Sequence, residues 1–280
     1  MPFLLVELPN IPEDTARGVR YLYGNGNTYI QLGEQINDIL KEFIPSNMEI
    51  QDRRSAETNT RYALMTSFQY AEELTDNQML EAVRSRVDLR YALHLPLDYP
   101  HFDPLALCKF RLQLYNDQSG QNTFKTLLDK LFVCGFLNAC QEPIESALGV
   151  LNAICTGTRV EKILEGMHRA LETLAATHGD WLRMVALPVW YERYSYKKKT
   201  SFWPNGNGEW KTKTIQIGTD IHYLLEQIHK SPQPGIESLR EVRNLRKLWE
   251  EQYEMTSDEP SPARIIRWRL RGCASCNSIH

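Results

Sequence analysis

"TRYALMTSFQYAEELTDNQMLEAVRSRVDLRYALHL", residues 60–95, decides how the chain is read. Tyr62, Leu64, Met65 and Phe68 recur at helical spacing, and a polar break follows at Leu74 to Asp76. Beyond it Leu80, Val83, Val87 and Tyr91 recur at threes and fours, which sets them on one inward face. Asp76 is the expected cap of the second helix, with Glu81 too far along to close a capping box. Two helices, 61–73 and 76–86, across a short turn make a helix-turn-helix-like hairpin, a pattern that any helical hairpin shares. The second helix carries Arg84, Arg86 and Arg90. Arg86 and Arg90 are four apart and share a face, while Arg84 stands four residues from Asp88, a spacing that favours pairing. Such a cluster is either a solvated face or a helix that touches a polyanion.

The bulk composition narrows that choice. The chain has 280 residues, with 32 Lys and Arg against 35 Asp and Glu, for a net charge of -3. The chain as a whole is therefore not a basic nucleic-acid coat, and any such contact must come from a local patch. Hydrophobic residues make up 42% and charged residues 24%, as in ordinary globular proteins. The opening "MPFLLVELP" lacks the basic region of a signal peptide, and no window holds the roughly 18 apolar residues of a membrane span. A cytoplasmic, nucleoid-associated protein with no membrane contact is expected. Of the six cysteines, Cys108, Cys134, Cys140 and Cys155 sit in apolar segments and read as reduced, buried thiols.

Helical periodicity dominates the rest. Residues 12–22 and 29–44 read as helices, the second with Ile36, Ile39, Leu40 and Phe43 inward. Residues 45–59 read as a polar loop. Asp103 and Pro104 form a cap followed by Pro in the first turn, and the helix they open places Leu105, Cys108 and Leu112 inward with Lys109 and Arg111 to the side. Further helices are expected over 121–134, 158–177 and 236–253, a hairpin-like turn at 203–210, and a few short strands between 186 and 217. The fold class is mainly α.

The order of these segments resembles the InsH-like N-terminal domain of bacterial insertion-sequence DDE transposases. Four motifs carry the resemblance. They are Phe68-Gln69 to Gln78 (F-Q-x-x-E-x-L-[ST]-D-x-Q), Ala82 to Asp88 (A-V-R-x-R-[VI]-D), Tyr91 to Leu97 (Y-A-L-x-L-x-L) and Phe102 to Leu114 (F-D-x-x-x-L-x-x-F-R-x-x-L). The resemblance continues through "DWLRMVALPVWYERY" and "REVRNLRKLWEEQYE" to residues 267–269. It implies an InsH-like helical DNA-binding domain over 1–118. Residues 119–280 are then helical segments of an incomplete RNase H-like transposase core with an irregular tail. It also implies double-stranded DNA at terminal inverted repeats as the partner, with a second copy or an intact transposase as further partners.

In that family an Asp-Asp-Glu set holds two Mg²⁺ ions, which activate the attacking oxygen and stabilise the leaving one. Here the match breaks. The family's "R-T-D-S-T-H-V-L-A-A-V" corresponds to "EPIESALGVLNAI". Ser146 falls on the first Asp, Gly149 on the His, and Glu145 is the vestigial acid one place away. The tail "LRGCASCNSIH" matches nothing expected, as in a frameshifted or decayed element. No cofactor and no catalytic residue are expected of this chain, and strand transfer is expected to be absent.

The DNA-binding candidates are Arg84, Arg86, Arg90, Lys109, Arg111 and Arg61, with Arg53 and Arg54 at the margin. Arg240, Arg243, Arg246 and Lys247 are the densest basic helix, but Glu237, Glu241, Glu250 and Glu251 dilute them, so a solvated face is favoured there. Lys197 to Lys199 read as an exposed loop run. Cys273, Cys276 and His280 have zinc-like spacing but lack a fourth ligand. Trp181, Trp190, Tyr191 and Tyr194 read as core. The alternative function is a protein-interaction module that inhibits an intact transposase in trans.

Overall fold

The computed structural model describes residues 3–23, 26–43, 52–100, 102–137, 144–194, 207–256 and 265–268. It is mainly α, and it divides into two compact units, one up to Thr158 and one over Arg159–Gly272.

The first unit is built around α3 (Arg53–Ala71), capped by the Asp52 carboxylate on the Ser55 N–H. Thr60 through Gln69 are all buried, so this helix is enclosed on every side. Its hydroxyls survive burial because Thr60, Thr66 and Ser67 each donate to the carbonyl four residues earlier. The opening segment docks on it without forming a strand: Val6 exchanges hydrogen bonds with the Thr60 hydroxyl in both directions, and Asn37 holds both backbone groups of Leu8.

Around α3 lie α1 (Glu13–Leu22), α2 (Thr28–Lys41), α4 (Asp76–Ser85), α5 (Val87–Ala92), α6 (Pro104–Asn116) and α7 (Gln118–Val133), with the start of α8 (Ala147–Thr177). α2 is opened by the Asn27 side chain, which accepts from the Tyr29 and Ile30 N–H groups. It runs so close to α5 that a Cβ on Gly33 would stand 2.6 Å from the Tyr91 ring and 3.0 Å from the Tyr91 carbonyl oxygen. His94, with φ of 51°, bridges the Pro9 and Gly33 carbonyls through its two ring nitrogens.

Several expectations are corrected here. Thr75, not Asp76, caps α4, and it closes a full capping box with Gln78. The expected single helix breaks at Arg86, whose extended backbone ends α4 and starts α5. Residues 53–59 are helical rather than loop. α6 begins as expected at Asp103 and Pro104, but its inward residues are Leu107, Cys108, Phe110, Arg111 and Leu114. Leu105 is exposed. Cys108 is disulfide-bonded, not reduced, and Cys134 is an exposed free thiol. The boundary expected after residue 118 moves to within α8, because Phe124, Leu127, Leu128 and Leu131 of α7 fill the same core as Leu64 and Phe68.

The second unit comprises the remainder of α8, α9 (Gly179–Val185), α10 (Pro188–Tyr194), α11 (Asn207–His229), a 3₁₀ turn (Ile236–Ser238) and α12 (Arg240–Gln252). An antiparallel pair completes it: β1 (Tyr253–Thr256) and β2 (Ile265–Trp268), in register Tyr253 to Trp268. Its core joins Ile163, Met167 and Leu174 to Trp181, Trp190, Ile221, Leu224, Val242 and Leu245. Within the 186–217 stretch expected to hold short strands, the described residues form helices α10 and α11; Asn207 to Trp210 of the expected hairpin-like turn are the first turn of α11, and residues 195–206 lie outside the described residues. Trp181, Trp190 and Tyr194 are core, whereas Tyr191 is exposed. Lys197 to Lys199, Cys140, Cys273, Cys276 and His280 lie outside the described residues.

Candidate nucleic-acid interface

Each candidate cation starts from the same chemistry, a guanidinium or ammonium that needs hydrogen-bond acceptors wherever water is excluded. The first unit supplies those acceptors to four of the six. Arg111, 2% exposed, donates to the Gln69 amide oxygen at 3.0 Å and to the Asp76 carboxylate at 2.5 Å. Gln69 donates in turn to Asp76 at 2.9 Å, and the Asp76 N–H meets the Thr158 hydroxyl. This cluster ties α3, α4, α6 and the start of α8 together. The charge of Arg111 is spent inside it.

Arg90, 8% exposed, acts as a staple for the chain turn around it. Its guanidinium donates to four backbone carbonyls: Val83, Arg84, Pro96 and Leu97. The Pro96 carbonyl also accepts the Tyr99 N–H at 3.2 Å, and the planar guanidinium fork gathers the four oxygens at the helix end and the following loop. Arg61, also 8% exposed, donates to the Leu93 carbonyl and lies 3.9 Å from Glu57. Burial pulls its pKa down, against the raising influence of Tyr99 and Glu57.

Arg86 sits at the break between α4 and α5 and is one-third exposed. It grips both oxygens of Glu72, at 2.9 and 2.7 Å, and pairs with Asp88 at 3.0 Å. Its guanidinium also lies over the Tyr29 ring, 5.1 Å from the centroid. Burial lowers the Arg86 pKa, but the hydrogen bonds to Asp88 and Glu72 and their charges outweigh it, so the group is held firmly protonated. Burial likewise raises the Asp88 carboxyl, and the hydrogen bonds from Arg86 and Asn27 with the Arg86 charge more than reverse this, leaving it below the ordinary carboxylate range. The Tyr29 hydroxyl donates to Glu72, and burial with that bond pushes its pKa up. Asp88, expected beside Arg84, is thus taken by Arg86, and the only acid near Arg84 among the described residues is Glu81 at 3.9 Å.

Two candidates remain outward. Arg84 and Lys109 are exposed. The cationic patch expected over 84–111 is therefore reduced to these two side chains, because Arg61, Arg90 and Arg111 are buried and Arg86 is neutralised by two carboxylates. A signal for this exists in the sequence. Arg111 stands four residues after Leu107 and three before Leu114, and Arg90 seven after Val83, so each falls in line with a buried apolar stripe.

The vestigial acidic position fares similarly. Glu145 is exposed, and Ser146 accepts the Gly149 N–H at 3.0 Å, the bond that an N-cap makes to the third helical residue of α8. Among the described residues no three His, Cys, Asp or Glu side chains gather in a way that would hold a metal ion. Comparison of the chain with protein-family models, with curated proteins and with solved structures finds no match. Among the described residues, no helix is long and apolar enough to cross a membrane.

Proposed function

We propose that this chain is a transposase-derived DNA-binding protein of an insertion sequence, acting on double-stranded DNA at terminal inverted repeats and lacking strand-transfer activity by itself. In this reading α3 and α4 are the helix-turn-helix, and the second unit is the remnant of an RNase H-like core. One observation carries it. Residues that match different family motifs meet: Gln69 and Asp76 of the first motif with Arg111 of the fourth, and Glu72 of the first with Arg86 of the second. These contacts between motifs support the reading. Loss of strand transfer is supported by the sequence, where Ser146 stands at the first acidic position. In the intact family Mg²⁺ supplies the phosphoryl-transfer chemistry.

The test is binding of the full chain to duplexes carrying element ends, read by fluorescence anisotropy across salt, with a nicking assay in Mg²⁺. Binding that weakens steeply with salt, and no nicking, is expected. Absence of binding to any duplex at low salt overturns the reading.

A second reading, a protein-interaction module that inhibits an intact transposase, draws on the second unit. Met184, Leu187, Val189 and Tyr191 are large apolar side chains exposed on or beside α9 and α10. Co-purification with a full-length relative, without retention on DNA, favours it.

A further inference from the structure

The basic helix set aside as a solvated face has a different character from the arginine run of the first unit. Arg240, Arg243, Asn244 and Lys247 of α12 are all exposed, and their spacing of three and four places them along one face. Val242 and Leu245 are fully buried on the opposite side, and the Trp249 indole N–H is fixed on the Gly218 carbonyl at 2.8 Å. The stripe is thus carried on a rigidly seated helix. Among the described residues, Arg240 and Arg243 have no carboxylate partner, and Lys247 has only Glu251 at 3.9 Å, exposed on both sides. Glu237, the nearest acid before the helix, is engaged by His229 at 3.0 Å and Arg246 at 3.5 Å.

Helix stability does not explain this charge pattern. The positive end of α12 carries Arg240 and Arg243, and its negative end carries Glu250 and Glu251. Each charge at the unfavourable end costs about 0.3–1 kcal/mol. Glu241, on a half-buried flank, is the one first-turn acid. Lys before Glu is also the weaker order for a pair four apart.

We propose that the outward face of α12 contacts the phosphate backbone of duplex DNA through Arg240, Arg243 and Lys247. This rests on the DNA-binding reading above and moves its electrostatic contact to the second unit. The three cations span seven residues, about 10 Å along a helix axis. That is the rise of about three phosphates on one strand. No large apolar side chain stands among the exposed members of the stripe, so the buried anchor that a protein partner needs is lacking. Glu250 and Glu251 confine the contact to the first two turns.

The experiment uses the full chain and its R240A/R243A/K247A variant with a duplex of about 30 bp, read by anisotropy from about 50 to 200 mM salt. All three side chains are exposed, and an unchanged circular dichroism spectrum with an unfolding midpoint no lower than the parent's verifies the fold. The expected result is a plot of log affinity against log salt shallower by about 2.7, with affinity at low salt reduced more than tenfold. Wild-type slope retained in the variant overturns this inference and leaves the DNA-binding reading standing. No duplex binding by the wild-type chain sinks that reading and this one together. Polyglutamate that competes as well as DNA at equal charge, and loses binding in the variant, reassigns the face to an acidic protein and also overturns it.

Discussion

Two arginine-rich stretches of similar density lie in the two units, and they do opposite things with their charge. In "VRSRVDLR" Arg86 and Arg90 turn toward carboxylates and carbonyls, and only Arg84 faces water. In "REVRNLRK" Arg240, Arg243 and Lys247 all face water. The difference lies in what surrounds each helix. Around α4 and α5 the chain supplies carbonyls within reach at Val83, Arg84, Pro96 and Leu97, with the acids Glu72 and Asp88. Around α12 it supplies an apolar seam of Val242 and Leu245, flanked by half-buried Leu248 and Trp249, that leaves Arg240, Arg243 and Lys247 uncovered. Local density of arginine therefore does not measure the charge offered to a partner; the count of internal acceptors within reach does.

The largest effect should come from Arg111→Ala, which strands Asp76 and leaves the Gln69 pair without its cation. A loss of about 3–5 kcal/mol in denaturant unfolding is expected, and a loss below about 1 kcal/mol would mean the cluster is not the tie between α3, α4 and α6. Next is Arg90→Lys, which keeps the charge but removes the fork. About 2–3 kcal/mol should be lost, because one ammonium cannot serve four carbonyls, and an unchanged midpoint would show that charge alone suffices there. Smallest in cost is Arg240→Ala with Arg243→Ala, which should not destabilise the chain and should raise its stability by up to about 1–2 kcal/mol as two cations leave the positive helix end. A cost above about 2 kcal/mol would place hidden partners on α12 and erase the contrast between the two stretches.

Much of the fold is legible in the sequence where one element suffices to specify itself. Asp103-Pro104 marks the start of α6, and the apolar spacing of α2, α7 and α12 gives their inner faces. What escapes is set by tertiary contact. No Gly or Pro announces the break at Arg86; it places that guanidinium between Glu72, Asp88 and the Tyr29 ring. Residues 188–194 suggest strands through their aromatic and branched content, yet Trp190 and Tyr194 recur four apart and bury one helical face. The candidate cations are legible as residues but not as a surface, since length and charge in a side chain do not reveal which way it turns. The α12 face was legible in pattern and discounted because of neighbouring acids, and Glu237, one of these, is engaged by His229 and Arg246 rather than by the stripe.

Gly33 leads beyond this one chain. With backbone and ring of Tyr91 already where a methyl group would go, even alanine forces the neighbouring helix outward. Descendants or cousins that retain this arrangement should be unable to vary there, so a bare hydrogen at that place is a marker by which unaligned sequences can be sorted into those that keep this amino-terminal packing and those that have abandoned it.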